Sequence, residues 1–348
     1  MLSPSGTAQV PEWFPAPVRA ADAVVLLVVD GLGWNQLRDR EAIAPRLASM
    51  DGRAITTVAP TTTATALTSI TTGLAPAEHG LIGYRLDIGD TVLNTLRWAD
   101  AHGDRRTTHP PGAVQACPAF LGMRVPVVGR ADLERSGFTD AHMSGARHHG
   151  WKAPSSIAVT CAGLIESGES FVYAYYDGLD KIAHDRGFGA HYDAELRFVD
   201  DLVSGIVDSL GSDCAVLVTA DHGQVHVGDN IVQLEATIRP LVHHQSGEGR
   251  FRWLHARHGC ERSLAEAARV HEDVAWVVSR EQVIDEGWFG PRVPAHVARR
   301  MGDVALVARE NVSFDDPDEP SAFSLVCRHG SMTPDEVLVP LVAARGTR

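Results

Sequence analysis

Several residues in this chain could meet a cation, and most of them follow a run of apolar residues. Asp221 and His222 are consecutive and are released by Gly223. A tight turn there can aim both side chains at one point, which makes this the sharpest local motif in the sequence. Asp180 and His184 stand four apart, a spacing that puts both on one face of a helical turn. Asp177 is a competing carboxylate on the same loop. Asp30 precedes Gly31, and His329 precedes Gly330. Carboxylate oxygens and imidazole nitrogens suit divalent ions of the zinc type, and six such donors suit two ions, each keeping an open position. Each pairing also has a simpler use. Asp-Gly is a strong turn signal, and an Asp/His pair one turn apart is common on a helix surface.

A nucleophile could come from Ala59-Pro60-Thr61-Thr62-Thr63-Ala64-Thr65-Ala66, continuing to Gly73. The stretch begins as a loop at Pro60 and becomes a helix that Gly73 can end, so hydroxyls cluster at a helix N-terminus. Backbone N–H groups there are unpaired and the dipole end is positive. A threonine oxygen at that point can meet an anion or become one. Capping is the plainer role for such residues, and by local pattern Thr61, Thr62, Thr63 and Thr65 are equivalent.

The elements that would position these groups are legible. Ala23–Val29 is apolar at every residue, as a central parallel strand covered on both faces should be, and it stops at Asp30. Phe171–Tyr176 ends before Asp177, Ala215–Ala220 ends at Asp221, and Phe323–Cys327 leads to His329. Ends of neighbouring parallel strands share one crevice, and open α/β sheets bind ligands there. Further expectations are a helix near 36–49, a strand near 54–58, a hairpin at 84–98 turning at Ile88-Gly89-Asp90, and a strand at 125–128. An amphipathic helix at 192–210 has Asp200 and Asp201 on its wet face. The chain returns as a strand at 337–343. His79 reads as a structural turn histidine; His148-His149 and His243-His244 read as surface, and Asp315–Glu319 as a solvated acidic loop.

Short strands at 251–254, 274–278 and 304–307 alternate with helices at 264–270 and 280–286. The organisation expected is an α/β core of residues 1–230 and 321–348, with a mostly parallel central sheet and helices on both faces. Residues 231–320 form an inserted α+β cap subdomain. A length of 348 residues and 44% hydrophobic content allow a large core. The net charge of −13 argues against general binding to duplex nucleic acid or anionic membranes. The five cysteines are scattered and form no C-x-x-C pair, as expected in a reducing compartment. Pro-rich residues 1–20 read as a surface lead-in with no signal peptide, and the longest aliphatic run is too short to span a bilayer. A cytoplasmic protein is expected.

Together, VVDGLG, PTTTATALTSITTGLAPAEHG, DGLDKIAH, TADHG and RHGSMTPDEVLVPLV resemble the alkaline-phosphatase superfamily, most closely its nucleotide pyrophosphatase/phosphodiesterase branch. The resemblance runs in order from about residue 24 to 343, apart from the insertion and the segment near 100–150. It implies an alkaline-phosphatase-like fold and two divalent ions, zinc or manganese. One ion would be held by Asp30, Asp221 and His222 beside Thr63, which aligns with the family's nucleophilic threonine. The other would be held by Asp180, His184 and His329. The implied activity is hydrolysis of phosphodiester or nucleotide pyrophosphate bonds in a small phosphate ester or nucleotide, through a covalent phosphothreonine-type intermediate.

One departure concerns Ala66. Eukaryotic-type phosphodiesterases carry an asparagine after the nucleophile that donates to a non-bridging phosphate oxygen, and the matching position here is Ala66. Another donor is therefore required. The competing readings are a phosphomonoesterase, a phosphonate- or sulfate-ester hydrolase on the same site, or a non-catalytic metal- or nucleotide-binding protein.

Overall fold

The computed structural model describes residues 11–89, 91–319 and 325–348. Residues 1–10 of the Pro-rich lead-in, Asp90 of the expected hairpin turn, and Phe323-Ser324 lie outside the described residues. The main sheet has seven strands: β1 (Ala23–Val29), β2 (Asp51–Thr56), β3 (Pro126–Arg130), β4 (Arg147–Trp151), β5 (Phe171–Tyr176), β6 (Cys214–Thr219) and β7 (Leu338–Arg345). Their spatial order is β2-β7-β6-β1-β5-β3-β4. β1 pairs in parallel with both β6 and β5, β3 pairs in parallel with β5 and β4, and only β7 runs against its neighbours. The expected mostly parallel α/β sheet is present.

β1 lies at the centre because every one of its residues has apolar company. Val24, Leu26 and Val28 face one layer, while Ala23, Val25, Leu27 and Val29 face the other. Val25, Leu27, Val28 and Val29 are fully buried, each stabilising by about 1.5–3 kcal/mol relative to exposure. Such a strand is a fixed platform for whatever follows Val29. On one layer, helix α1 (Thr63–Thr72) brings Leu67 to the sheet. On the other, helices α2 (Gly178–Arg186) and α3 (Ala190–Ser209) contribute Leu179, Ala183, Leu196, Val199, Val203 and Ile206.

A second, four-stranded antiparallel sheet contains Val242–Glu248, Phe251–Ala256, Val304–Ala308 and Ala275–Ser279, in that spatial order. One face has its own core, with Leu254, Leu264 and Leu306; Phe251, Trp253 and Val307 on the other join the main core. Ile231–Val232 pairs in parallel with Ser313–Phe314. A small sheet begins with Arg85–Asp87 and Val92–Asn94, the hairpin expected there. Among the described residues no helix is long and apolar enough to cross a membrane.

Five expectations are corrected. The helix near 36–49 is two short ones, Trp34–Arg38 and Pro45–Ser49, because Pro45 lacks an N–H and pushes Ala44 out of the helical region. Among the described residues, the run before His329 adds no strand to the main sheet, and Cys327–Arg328 instead pairs with Val225–His226. Val242–Glu248 was not expected as a strand. Asp200 is buried rather than wet, accepting from the backbone N–H of Arg46 (3.1 Å) and Leu47 (2.8 Å) at the start of the Pro45–Ser49 helix. Asp316 is buried too, paired with Arg85.

Candidate active site

Three adjacent strands deliver the first carboxylates. Asp30 follows β1, with its N–H bonded to the Tyr176 carbonyl at 2.9 Å. Asp221 lies two residues beyond β6, and Asp180 lies in the first turn of α2, which follows β5. Gly31 lets the chain pass between them. Its φ is +73°, and a Cβ there would stand 2.9 Å from Gln224 Nε2 and 3.0 Å from Asp180 Cβ. Thr63 opens α1, and Thr62 caps that helix without a side-chain capping bond. Capping is therefore not what this threonine run does. Thr61 instead bonds the loop bearing His329: its Oγ1 donates to the Ser331 carbonyl (2.7 Å) and accepts from Gly330 N–H (3.0 Å).

All seven residues singled out from the sequence meet. His222 Nε2 lies 3.5 Å from Asp30 Oδ1, 3.4 Å from Asp221 Oδ2 and 3.2 Å from Thr63 Oγ1. Asp180 Oδ1 lies 3.3 Å from His184 Nε2 and 4.0 Å from His329 Nε2. The His222 and His329 rings stack with centroids 3.6 Å apart, and His184 and His329 stand at 5.2 Å. The tightest groups of donor atoms are Asp30–Asp221–His222 and Asp180–His222–His329. His222 thus sits between the two halves, and His184 joins through Asp180.

The histidines are held in a ligand's tautomer. Nδ1 of His184 meets the Cys327 carbonyl (2.7 Å), that of His222 the Gly223 carbonyl (3.1 Å), and that of His329 the Thr61 carbonyl (2.8 Å). A carbonyl only accepts, so each Nδ1 carries the hydrogen and each Nε2 turns a lone pair inward. The Thr63 hydroxyl accordingly donates to His222 Nε2. Asp30 Oδ1 and Asp221 Oδ2 are buried without a hydrogen-bond partner. Burial, then the Asp221 and Asp180 charges, pushes the Asp30 carboxyl well above its ordinary range; burial also raises Asp180 and Asp221. Burial lowers His222 and, reinforced by His222 and His184, takes His329 well down. Crowded carboxyl groups with orphaned oxygens, facing inward-turned imidazole nitrogens, form a donor set that divalent cations fit.

Other residues were not foreseen. Tyr175 donates to Asp30 Oδ2, and Gln224 Nε2 donates to Asp180 Oδ1 at 2.6 Å. Neither has a local signal, since Tyr175 looks like any aromatic strand residue. Asp177 is taken by Arg130 (3.1 Å) and Lys181 (2.5 Å), so it competes poorly as a ligand. His79 is structural as expected, accepting from Leu81 N–H at Nδ1 (3.2 Å) with Nε2 beside Ser69 Oγ (2.9 Å). His148 is not a surface residue. It is half-buried on β4 and lines the site's apolar cavity. His244 is half-buried beside Asp87, while His243 is exposed as expected.

Thr63 and Asp180 both border two cavities. One, of about 280 Å³, is walled by Leu67, Val127, Phe138, Met143 and Tyr175. The other, of about 320 Å³, is walled by Tyr84, Arg97, Glu248, Arg252 and Arg328.

The sequence profile of type I phosphodiesterases/nucleotide pyrophosphatases matches residues 24–335. The chain belongs to this family. The type I phosphodiesterase family is a branch of the alkaline-phosphatase superfamily and consists of metal-dependent hydrolases, so this protein is an enzyme of that kind. Similar solved structures include murine ectonucleotide pyrophosphatase/phosphodiesterase 5, with a TM-score of 0.68 at 13% identity over 92% of this chain and 87% of that one. An inactive variant of the murine protein in complex with AMP gives 0.69 at the same identity and coverage. Phosphonoacetate hydrolase from Sinorhizobium meliloti 1021, in complex with phosphonoacetate, gives 0.67 at 17% identity over 94% and 91%. At these identities the likeness concerns the fold. No curated protein sequence matches the chain.

Proposed function

We propose that this phosphodiesterase-family enzyme is a two-metal hydrolase of phosphodiester or nucleotide pyrophosphate bonds, with Thr63 as nucleophile. The observation that carries the reading is the convergence of three inward-facing Nε2 atoms, three crowded carboxylates and the Thr63 hydroxyl at the N-terminus of α1. Asp30, Asp221 and His222 would hold one ion together with Thr63, and Asp180, His184 and His329 the other. Zinc suits the donor set best, and manganese is the alternative. When bound, the ions would supply Lewis acidity, acidifying the hydroxyl and offsetting charge on the phosphate oxygens.

The protein's own part is positional. Thr63 Oγ1 attacks phosphorus in line, the bond from phosphorus to the leaving oxygen breaks, the leaving group takes up a proton as the threonine hydroxyl gives one up, and a phosphothreonine forms that still carries the substrate's other substituent. A water then attacks phosphorus from the opposite side and returns Thr63 to its hydroxyl form. The unpaired backbone N–H groups of the first turn of α1 meet the charge that develops on the phosphate oxygens. Ala66 offers no substitute for the family asparagine: it is buried, and its own N–H is bonded to the Thr62 carbonyl at 2.9 Å. Two cavities meeting at Thr63 favour a substrate with a group on each side of phosphorus, hence a diester or pyrophosphate. A nucleotide is also in keeping with the murine protein having been solved with AMP.

The stretch 231–320 would act as a cap over this rim, since its ends meet in the Ile231–Val232/Ser313–Phe314 ladder and its Glu248 and Arg252 wall the polar cavity. The five unbridged cysteines are in keeping with a reducing, cytoplasmic setting. A second reading, phosphonate hydrolysis on the same site, is favoured by the three arginines of the polar cavity and by the fold shared with phosphonoacetate hydrolase. Parallel rates on a bis-aryl phosphodiester, an aryl phosphate, an aryl sulfate and phosphonoacetate test these readings. The diester is expected to be fastest; a clear preference for phosphonoacetate would replace the proposal with the second reading. Thr63→Ala should abolish turnover with metal content near normal, and chelation should abolish it in the wild type. Wild-type rates in Thr63→Ala on every ester would reject the nucleophile.

A further inference from the structure

We propose a separate divalent-metal site, of the zinc type, formed by Asp87, His244 and His255, that staples the Arg85–Asp87 hairpin to the four-stranded sheet. It shares no residue with the site around Thr63, and it stands whether or not the reading of that site holds.

Backbone register builds two-thirds of it. His244 and His255 are direct partners in the antiparallel ladder between Val242–Glu248 and Phe251–Ala256, just past an irregularity between Val242 and His244. Residues opposite one another project from the same face, and the two imidazoles stack with centroids 4.0 Å apart and planes 17° apart. Asp87, at the end of the neighbouring hairpin strand, points at both. Its Oδ2 lies 2.8 Å from His244 Nε2 and 3.3 Å from His255 Nδ1, and the three donor atoms all fall within 4.8 Å of one another.

The outer atoms of the three residues are held as those of metal ligands are. His255 Nε2 meets Ser246 Oγ at 2.8 Å, His244 Nδ1 meets His243 Nδ1 at 2.9 Å, and Asp87 Oδ1 accepts from Gly89 N–H at 2.7 Å. Each of these bonds occupies the side of the residue that faces away from the cluster, which frees His244 Nε2, His255 Nδ1 and Asp87 Oδ2 for a common partner. Among the described residues, Asp87 forms no ion pair with a lysine or arginine, leaving its charge to the imidazoles or to an ion. A cavity of about 350 Å³ reaches Asp87. Two imidazole nitrogens and one carboxylate oxygen form a zinc-type set with room for a water. The simpler arrangement is a metal-free hydrogen-bonded cluster in which both histidines donate to Asp87, and it predicts opposite results.

The test is elemental analysis of the full chain, wild type against Asp87→Asn/His244→Gln, after identical zinc loading and gel filtration. The double variant should hold one zinc equivalent fewer than the wild type. The comparison is a difference, so it does not depend on how many ions the Thr63 site takes. Ser246→Ala, which removes only the outer bond to His255, should weaken that equivalent about 10–100-fold. Equal zinc in wild type and a folded double variant would overturn the proposal. If the double variant fails to fold, residue-mapped carbethoxylation of the wild type decides: zinc should shield the part-exposed His244, and equal modification with zinc or after chelation would overturn the site.

Discussion

The Tyr84 hydroxyl borders the same cavity as Thr63, and its oxygen already accepts from Asn94 Nδ2 at 2.6 Å. Its own proton is therefore available to a phosphate oxygen, which gives the site a donor that Ala66 cannot supply. Tyr84→Phe removes that proton with little change in shape. It should lower kcat/KM for a phosphodiester about tenfold or more, on the order of 1.4 kcal/mol, at nearly unchanged stability. Steady-state kinetics that match the wild type would remove Tyr84 from the site. His79 makes a different prediction, because it is buried and belongs to neither of the donor groups around Thr63. Burial takes its pKa from the ordinary 6.5 to about 3. Between those values the unfolded chain binds the extra proton and the folded one does not, so stability is present above pH 6.5 and is lost as pH falls toward 3. The slope from this residue is up to about 1.4 kcal/mol per pH unit. Urea unfolding between pH 4 and 7 should show a shallower decline for His79→Gln than for the wild type.

The turn from β1 into the Asp30-Gly31 corner is where strand geometry places the Asp30 carboxylate beside Asp221 and His222. Gly31→Ala should cost about 1–3 kcal/mol, since a left-handed φ and a close approach to Gln224 and Asp180 coincide there. It should also reduce retained metal, measured by elemental analysis; unchanged metal content and unfolding midpoint would show that the corner tolerates a side chain. Elements of this kind were readable from the sequence because burial on both faces leaves an unbroken apolar run, as in β1, and because a strand end limits where its next residues can go. That logic located Asp30, Asp180 and Asp221, and it located His222 through the turn at Gly223. It failed where a polar residue's partner is remote in the chain. Asp200 looked wet because the backbone it caps lies near residue 46. Asp316 looked solvated because Arg85 covers it. Val242–Glu248 has no apolar alternation, and its burial rests on the strand it pairs with. His329 lies beside Asp180, His184 and His222, yet among the described residues the run before it contributes a two-residue ladder, and the loop is fixed by bonds to Thr61.

Besides their apolar and Thr61 contacts, the second sheet and the His329 loop are linked by a buried ion pair. Arg250 and Glu336 are both fully buried. They meet through two bonds of 2.8 Å, Nε to Oε1 and Nη2 to Oε2. Glu336 Oε1 also accepts from Ser331 N–H at 2.9 Å, two residues beyond His329, and Oε2 accepts from the Thr333 hydroxyl at 2.6 Å. Arg250 Nη1 reaches the Glu310 and Val312 carbonyls at 2.8 and 2.7 Å. The pair therefore sets where the second sheet and the His329 loop lie relative to each other. Taking both charges out of water is unfavourable, and well-packed apolar residues could replace the pair at little loss of stability. Removing one partner is another matter, because the remaining charge has no water to turn to. Glu336→Gln should destabilise by about 3–5 kcal/mol and lower metal content through the loosened His329 loop. Arg250→Met/Glu336→Met should recover much of the stability without restoring full activity, since the apolar pair holds no bond to Ser331. If denaturant unfolding places Glu336→Gln within about 1 kcal/mol of the wild type, the pair is not what joins the two parts. In that case the apolar contact through Phe251 and Trp253 holds the second sheet by itself.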